Sequence, residues 1–414
     1  MLKRIHVNDL TMGMYVHELC GSWMEHPFWR TRFALKDARD LARIRASTIA
    51  EVWIDTARGP DVAAHVPATS RREADAQADA VLHAAHQQPR PTPALEPATM
   101  AQELQRASQV CASARRAVTQ LFHEARLGGA VDVTGALTLV DEIGASITRH
   151  PGALISLARL KTADEYTYMH SVAVSALMLA LARQLGLDDA GVRMAGQAGL
   201  LHDLGKARVP LELLNKPGKL DEQEFAVVQS HPLAGHAMLV GSGLPQPVLD
   251  ACLHHHEKID GSGYPDRLQG QGIGLLARMA AVCDVYDAIT SNRPYKRGWD
   301  PALALHRMAE WTHSHFDNRI FQAFVKTMGI YPVGALVRLQ SQRLAVVVEQ
   351  SPEQLLAPRV KVFYALPAQR RIALEIVDLA APANTDKIIA REDPGHWPFT
   401  DLQQLWSGQA APAW

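Results

Sequence analysis

The chain has little that would crosslink it or hold it in a membrane. It carries four cysteines, Cys20, Cys111, Cys252 and Cys283, far apart in the 414 residues and without a Cys-x-x-Cys pair. A disulfide framework is therefore not expected, and the thiols read as reduced groups of a cytosolic protein. Long apolar runs are missing as well. The longest, from Val172 to Ala182, is interrupted by Ser175 and falls short of the roughly 20 residues that a membrane helix needs. Met1-Leu2-Lys3-Arg4 leads into mixed polar residues, so no secretory signal is expected. The expectation is a soluble cytoplasmic protein with no membrane insertion. An excess of charge of one sign is also lacking. Lys plus Arg is 42 and Asp plus Glu is 43, a formal net charge of −1. That balance speaks against a partner of long nucleic acid, while a local basic patch could still hold a small anion. No internal repeat is visible.

What the chain does have is histidine, 19 in all, and a clear change of texture along its length. Residues 1–60 read as a small β-containing unit, with Tyr15-Val16 and Val52-Trp53-Ile54 as short strand-prone runs and Gly13 and Gly21 as punctuation. An Ala-, Gln-, Arg-, Asp- and His-rich patch follows. It ends in Pro89, Pro91, Pro93 and Pro97, which block a helix and favour an extended spacer. Residues 61–98 are therefore read as a linker, Pro-rich at its end and the least ordered part of the chain. Connecting helices are expected over 99–149. Within them Leu104, Ala107, Cys111, Ala114, Val118, Leu121 and Ala125 step by 3 and 4 alternately, a heptad seam. Such a seam over helix 100–126 serves either a homodimer or packing on a neighbouring helix of the same chain.

Residues 150–330 are dominated by helical patterns, over Asp164 to Leu187, Ala190 to Leu201, Asp221 to Val240, Pro247 to His256 and Leu275 to Thr290. From 331 to 414 strands take over, with Val337, Val346, Val362 and Ile376 in successive strand-prone runs. The fold class expected is mainly α, a helical domain flanked by small β-rich N-terminal and C-terminal parts.

The chemistry lies in the helical region. His202-Asp203 closes an apolar helix in Gly199-Leu200-Leu201-His202-Asp203-Leu204-Gly205-Lys206. Such a pair is costly to bury unless both groups are satisfied, and metal ligation satisfies both at once. Lys206 lies one turn on, near the same face, placed to meet an anionic oxygen. Alone, the pair would pass for a helix-terminal Asp beside a surface His. It is accompanied by His170, His231, the run His254-His255-His256-Glu257, and Asp284 in an apolar helix. N and O donors from several helices suit a dinuclear iron, manganese or similar site. Such a pair of ions can lower the pKa of a shared water and clamp the oxygens of a phosphodiester.

In order, His170, His202-Asp203 with Gly205-Lys206, His231-Pro232, His255-His256-Glu257, Asp260-Gly261-Ser262-Gly263-Tyr264-Pro265 and Asp284 closely resemble the HD-GYP phosphodiesterases. The resemblance covers roughly residues 150–330 and agrees in order, spacing and loop. It implies an HD-type helical catalytic domain with His170, His202, Asp203, His231, His255, His256 and Asp284 as metal ligands, Asp203 bridging two divalent ions, Fe or Mn. It implies Lys206 as a phosphate contact, Tyr264 at the substrate rim, Arg293 and Lys296 as further substrate contacts, and Asp287 as a residue that orients the catalytic site. His254 is read as supporting or structural. Tyr166 stands where some members carry a carboxylate for a third metal, so two metals are favoured and a third stays open. Val7 to Val16, Trp23, Pro27-Phe28 and Val52 to Asp55 resemble a small domain that often precedes HD-GYP modules. No function follows from it.

The function implied is hydrolysis of the bacterial second messenger cyclic di-GMP to pGpG, with GMP after a second cut. Two alternatives stay open: an effector that binds cyclic di-GMP without turnover, and an HD phosphohydrolase acting on another nucleotide. A signalling-protein partner is open too.

Overall fold

The computed structural model describes residues 1–21, 32–86, 98–128, 132–158, 166–214, 216, 220–291, 298–351 and 354–408. Trp23, Pro27, Phe28, the proline run 89–97, Arg293 and Lys296 lie outside the described residues.

In chain order the elements are β1 (Leu2–His6), β2 (Tyr15–Leu19), β3 (Phe33–Ala34), α1 (Ala38–Ala46), β4 (Glu51–Asp55), β5 (Thr69–Ser70), α2 (Arg71–His86), α3 (Met100–Leu127), α4 (Thr134–Arg149), α5 (Pro151–Ala158), α6 (Tyr166–Gln184), α7 (Asp189–Leu201), α8 (Leu211–Leu214), α9 (Glu222–Gln229), α10 (His231–Leu239), α11 (Gln246–His254), α12 (Leu275–Thr290), α13 (Pro301–Glu310), α14 (Asn318–Met328), β6 (Leu336–Leu339), β7 (Arg343–Glu349), β8 (Arg359–Ala365), β9 (Arg370–Asp378), β10 (Ile388–Arg391) and α15 (Leu402–Ser407). The mainly α reading with β-rich flanks holds. Among the described residues the strands form two five-stranded antiparallel sheets, ordered β3-β2-β4-β1-β5 and β10-β6-β7-β8-β9. The first encloses its own core of Ile5, Leu10, Val16, Leu35, Ile44 and Val52, all buried. The second buries both faces of β6–β8. Val337, Val360 and Val362 lie on one side, and Leu344, Phe363, Phe399 and Trp406 on the other, beneath α15.

The helical domain owes its compactness to small residues. Gly199 on α7 lies so close to α6 that a Cβ would stand 2.8 Å from Ser175 Cα and 2.9 Å from Val174 O. Only glycine allows that approach, and it brings the end of α7 beside the start of α6. The seam of α3 is likewise used within the chain. Ala107, Ala114, Val118, Leu121 and Ala125 are buried in the domain core with residues of α4, α5 and α6, which is the neighbour-packing reading. The face a dimer would have needed is covered.

Two expectations change. The stretch read as a linker contains the helix α2, whose Ala74, Ala78 and Leu82 are buried; Ala78 and Leu82 join the core of the helical domain. Its Ala-rich sequence favours a helix, and the prolines that suggested a spacer all follow it. The continuous helix expected over Asp221 to Val240 is two helices that meet at Ser230. Pro232 causes the break, because it has no N–H to give the Val228 carbonyl. His170 lies within α6, inside the stretch from Asp164 to Leu187 that the pattern marks as helical.

Candidate metal centre

Helix ends supply most of the donors. The last carbonyls of a helix lack a full set of intrahelical partners, and three histidines use them. His202 Nδ1 donates to Gly199 O at 2.8 Å, His231 Nδ1 to Val228 O at 2.7 Å and His255 Nδ1 to Cys252 O at 2.9 Å. The Val228 carbonyl is the one to which Pro232 has no N–H to give, so the helix break and the aim of His231 are linked. His170 Nδ1 pairs instead with Asp287 Oδ2 at 2.6 Å. A carbonyl can only accept, so Nδ1 must carry the proton in His202, His231 and His255. Each therefore turns an Nε2 lone pair inward. Support of the outer nitrogen in this manner is what orients histidine ligands.

Those lone pairs converge on two carboxylates. Asp203 Oδ1 faces His231 Nε2 at 3.2 Å and His255 Nε2 at 3.8 Å, while its Oδ2 faces the Nε2 atoms of His170 and His202, each at 3.4 Å. Asp284 Oδ1 lies 3.0 Å from His170 Nε2 and 4.0 Å from His202 Nε2, and its Oδ2 is 4.0 Å from His256 Nδ1. Two lobes result, one of His170, His202 and Asp284, the other of His231, His255 and His256, with Asp203 between them.

The cluster as it stands is short of positive charge. His231 Nε2 and His255 Nε2 are 3.2 Å apart, a contact between two lone pairs unless a proton or cation intervenes. A proton is disfavoured. Burial lowers the pKa of His231, and burial together with the neighbouring His256, His202 and His231 lowers that of His255 far below the usual range. His256 is pushed down to about 3 by burial and His231. For Asp203 burial acts the other way, but Lys206, His202 and His231 outweigh it and hold the carboxyl far below its usual range. His202 Nε2 and Asp203 Oδ1, both buried, make no hydrogen bond of acceptable geometry. Lone pairs, carboxylates and unsatisfied buried atoms together are a fitting donor set for divalent cations.

The structure also positions the surrounding residues. Lys206 Nζ donates to Asp203 Oδ2 at 2.5 Å and keeps about a fifth of its side chain exposed. Tyr264 stacks on His256 with ring centroids 4.8 Å apart. Asp287 lies behind His170, with Ser291 Oγ donating to its Oδ1 at 3.3 Å, so it holds the His170 ring and does not itself face the cluster of nitrogens and carboxylates. His254 bridges Asp250 Oδ1 and Asp266 Oδ2, each at 2.9 Å, and so ties α11 to the residue after Tyr264-Pro265. Sequence reasoning missed Lys258 and His315, both buried near the loop. The only signal for either was polarity inside an otherwise committed segment.

A helical domain that brings a His-Asp pair at a helix end together with His and Asp donors from other helices defines the class: this is an HD domain. A family model described as HD domain matches residues 146–320, and one described as a domain of unknown function, DUF3391, matches residues 2–136. A cyclic di-GMP phosphodiesterase of Pseudomonas aeruginosa is 53% identical over 412 residues, 99% of this chain and 97% of its own length. A cyclic di-GMP phosphodiesterase response regulator of Xanthomonas campestris is 41% identical over 177 residues, 41% of this chain and 47% of its own length. A 3'3'-cGAMP-specific phosphodiesterase of Vibrio cholerae is 36% identical over 167 residues, 40% of this chain and 36% of its own. Among solved structures, a cyclic GMP-AMP specific phosphodiesterase of Vibrio cholerae is 16% identical with a TM-score of 0.31, over 42% of this chain and 47% of that one. That likeness is too slight to bear on the site. The chain belongs to the HD-GYP family of HD-domain proteins and carries the DUF3391 domain in front of the HD domain.

Proposed function

We propose that this chain is a metal-dependent phosphodiesterase that hydrolyses cyclic di-GMP to pGpG, with GMP as the product of a second cut. The observation that carries the reading is the division of Asp203, whose two oxygens face different sets of histidine nitrogens. A carboxylate so placed suits a bridge between two ions, Fe or Mn, one held by His170, His202 and Asp284 and the other by His231, His255 and His256. When bound, the ions supply an activated water and positive charge against the phosphoryl oxygens.

The chain's own side chains do the rest. Lys206, beside Asp203 and partly exposed, offsets charge on a phosphate oxygen. Tyr264, fixed against His256, borders the place where a guanine would lie. Asp287 keeps the Nε2 of His170 turned inward. Arg293 and Lys296 are proposed as further phosphate contacts on the family resemblance alone. The substrate is supported by the Pseudomonas aeruginosa relative, which spans this chain almost from end to end. The four cysteines are free thiols, which suits a cytoplasmic place.

The test is a panel of cyclic dinucleotides, cyclic di-GMP and 3'3'-cGAMP among them, offered to the purified protein with Fe(II) or Mn(II). Asp203→Ala serves as control and products are resolved chromatographically. Preferred turnover of cyclic di-GMP, absent in D203A, supports the reading. Preference for another dinucleotide would replace the substrate. Tight binding with no product would make the chain an effector.

A further inference from the structure

The N-terminal sheet domain has no assigned role, yet one of its contacts with the helical domain falls on the loop that follows His256. Lys258, just past His256, is 5% exposed, and its Nζ leaves the helical domain to donate to Thr48 O at 2.8 Å. Thr48 lies in the connection between α1 and β4 of the sheet domain. An ammonium taken out of water is costly unless it is held, so this anchor is a specific feature of the seam. The cavity at that seam, lined by Cys20, Glu51, Lys258 and His315 among others, holds about 20 Å³, room for little more than one water molecule.

The backbone of the same residue supports the site. Gly263 lies directly on it: a Cβ there would stand 2.4 Å from Lys258 N, 2.5 Å from Glu257 Cα and 2.6 Å from His256 O. Tyr264 N donates to His256 O at 3.3 Å, and the Tyr264 ring rests on the His256 ring. Residues 256–258 are thus held between the sheet domain on one side and the Gly263-Tyr264 turn on the other. A second tie leads to the same loop. Arg4 on β1, 5% exposed, donates to Glu310 O at the end of α13 at 3.1 Å and to Gln77 Oε1 on α2 at 3.3 Å. The segment that continues from α13 accepts Ile259 N at His315 O (3.2 Å) and Asp260 N at Ser314 O (3.1 Å). The close packing transmits displacement because a packed seam has no slack to absorb it.

We propose that the N-terminal domain is a working part of the catalytic site: by anchoring Lys258 it positions the 257–264 loop, and through it Tyr264 and His256. Lys258 is a positioning residue, acting through the loop. The kinetic part of this inference rests on the cyclic di-GMP reading, while the structural part does not.

The test is K258M in the full chain, which keeps the straight side chain and removes the donor. Three quantities are measured: bound Mn(II) per chain, kcat and KM for cyclic di-GMP, and amide hydrogen exchange over 257–264 with α12 as internal reference. The expected result is a loss of about tenfold to a hundredfold in kcat/KM, the scale of a misplaced reacting group, with faster exchange confined to the loop and both ions still bound at saturating Mn(II). Wild-type kinetics and wild-type loop exchange, with only the melting temperature lowered, would overturn the proposal. If K258M does not fold, R4M replaces it, since Arg4 ties the domains far along the chain from the loop and the same outcomes apply. If the wild type turns over no cyclic di-GMP, the functional reading fails and loop exchange alone decides whether the domain holds the loop.

Discussion

Asp287 offers a sharp test of how the donors are aimed. Its Oδ2 lies 2.6 Å from His170 Nδ1, and both side chains are almost wholly buried, at 1% and 3% exposure. A hydrogen bond to a charged group is worth about 1.5–3 kcal/mol, and loss of a partner behind a ligating histidine lowers metal affinity about 10- to 100-fold, or about 1.4–2.7 kcal/mol. The two figures agree. Asp287→Ala removes the acceptor and leaves the His170 ring free to turn or to carry its proton on Nε2, so the full loss is expected. Asp287→Asn keeps an acceptor without the charge and should lose about tenfold at most. The order of affinity is then wild type, D287N, D287A. The assay is competition between metal-free protein and a chelator for Mn(II), read as two dissociation constants. The site of His170, His202 and Asp284 should weaken and the other should change less. If D287A held both ions with wild-type affinity, the orienting role of Asp287 would be wrong.

Two other substitutions probe the frame. A Cβ on Gly205 would stand 1.9 Å from His231 O and 2.5 Å from Gly235 N, both backbone atoms of α10. Gly205→Ala should therefore push α10 and His231 away, with a loss of about 1–3 kcal/mol in urea unfolding and of one bound ion. Glu103, wholly buried, accepts from Arg149 Nε and Nη2 at 2.8 and 2.9 Å and from Ser146 Oγ at 2.8 Å. Burial raises its pKa, but Arg149 and Ser146 outweigh that and hold it below its ordinary 4.5. Because the folded-state value is depressed, the pair stabilises fully above pH 4.5 and loses its effect as pH falls through the folded-state value. Glu103→Gln should cost about 1–3 kcal/mol at pH 7, a penalty that shrinks on acidification below pH 4.5. A penalty unchanged by pH would show that the ion pair is not its source.

Much of this molecule is legible from residue patterns, for physical reasons. α12 spans the run from Leu275 to Thr290 as expected, because an apolar helix with flanking Gly and Ser has unambiguous ends. The strands of the C-terminal sheet are evident in their β-branched runs. The donors come together as the order of His and Asp suggests. α2 escaped notice because its buried stripe is Ala74, Ala78 and Leu82, too small a hydrophobic signal to stand out beside the prolines that follow. The division at Ser230 was available from Pro232, but a periodic apolar pattern on both sides hid it. The role of Lys258 could not be read at all. A lysine in a loop looks solvated until a second domain is found resting on it.

The account turns on a dinuclear centre shared by seven side chains, and one titration tests it directly. Metal-free protein receives Mn(II) or Fe(II) in steps, and bound ion and cyclic di-GMP turnover are measured in the same samples, beside D203A. The account predicts two ions per chain, turnover that appears as the pair fills, and neither full occupancy nor turnover in D203A. Full turnover with no bound metal, or a D203A variant that binds two ions and hydrolyses cyclic di-GMP at the wild-type rate, would contradict it.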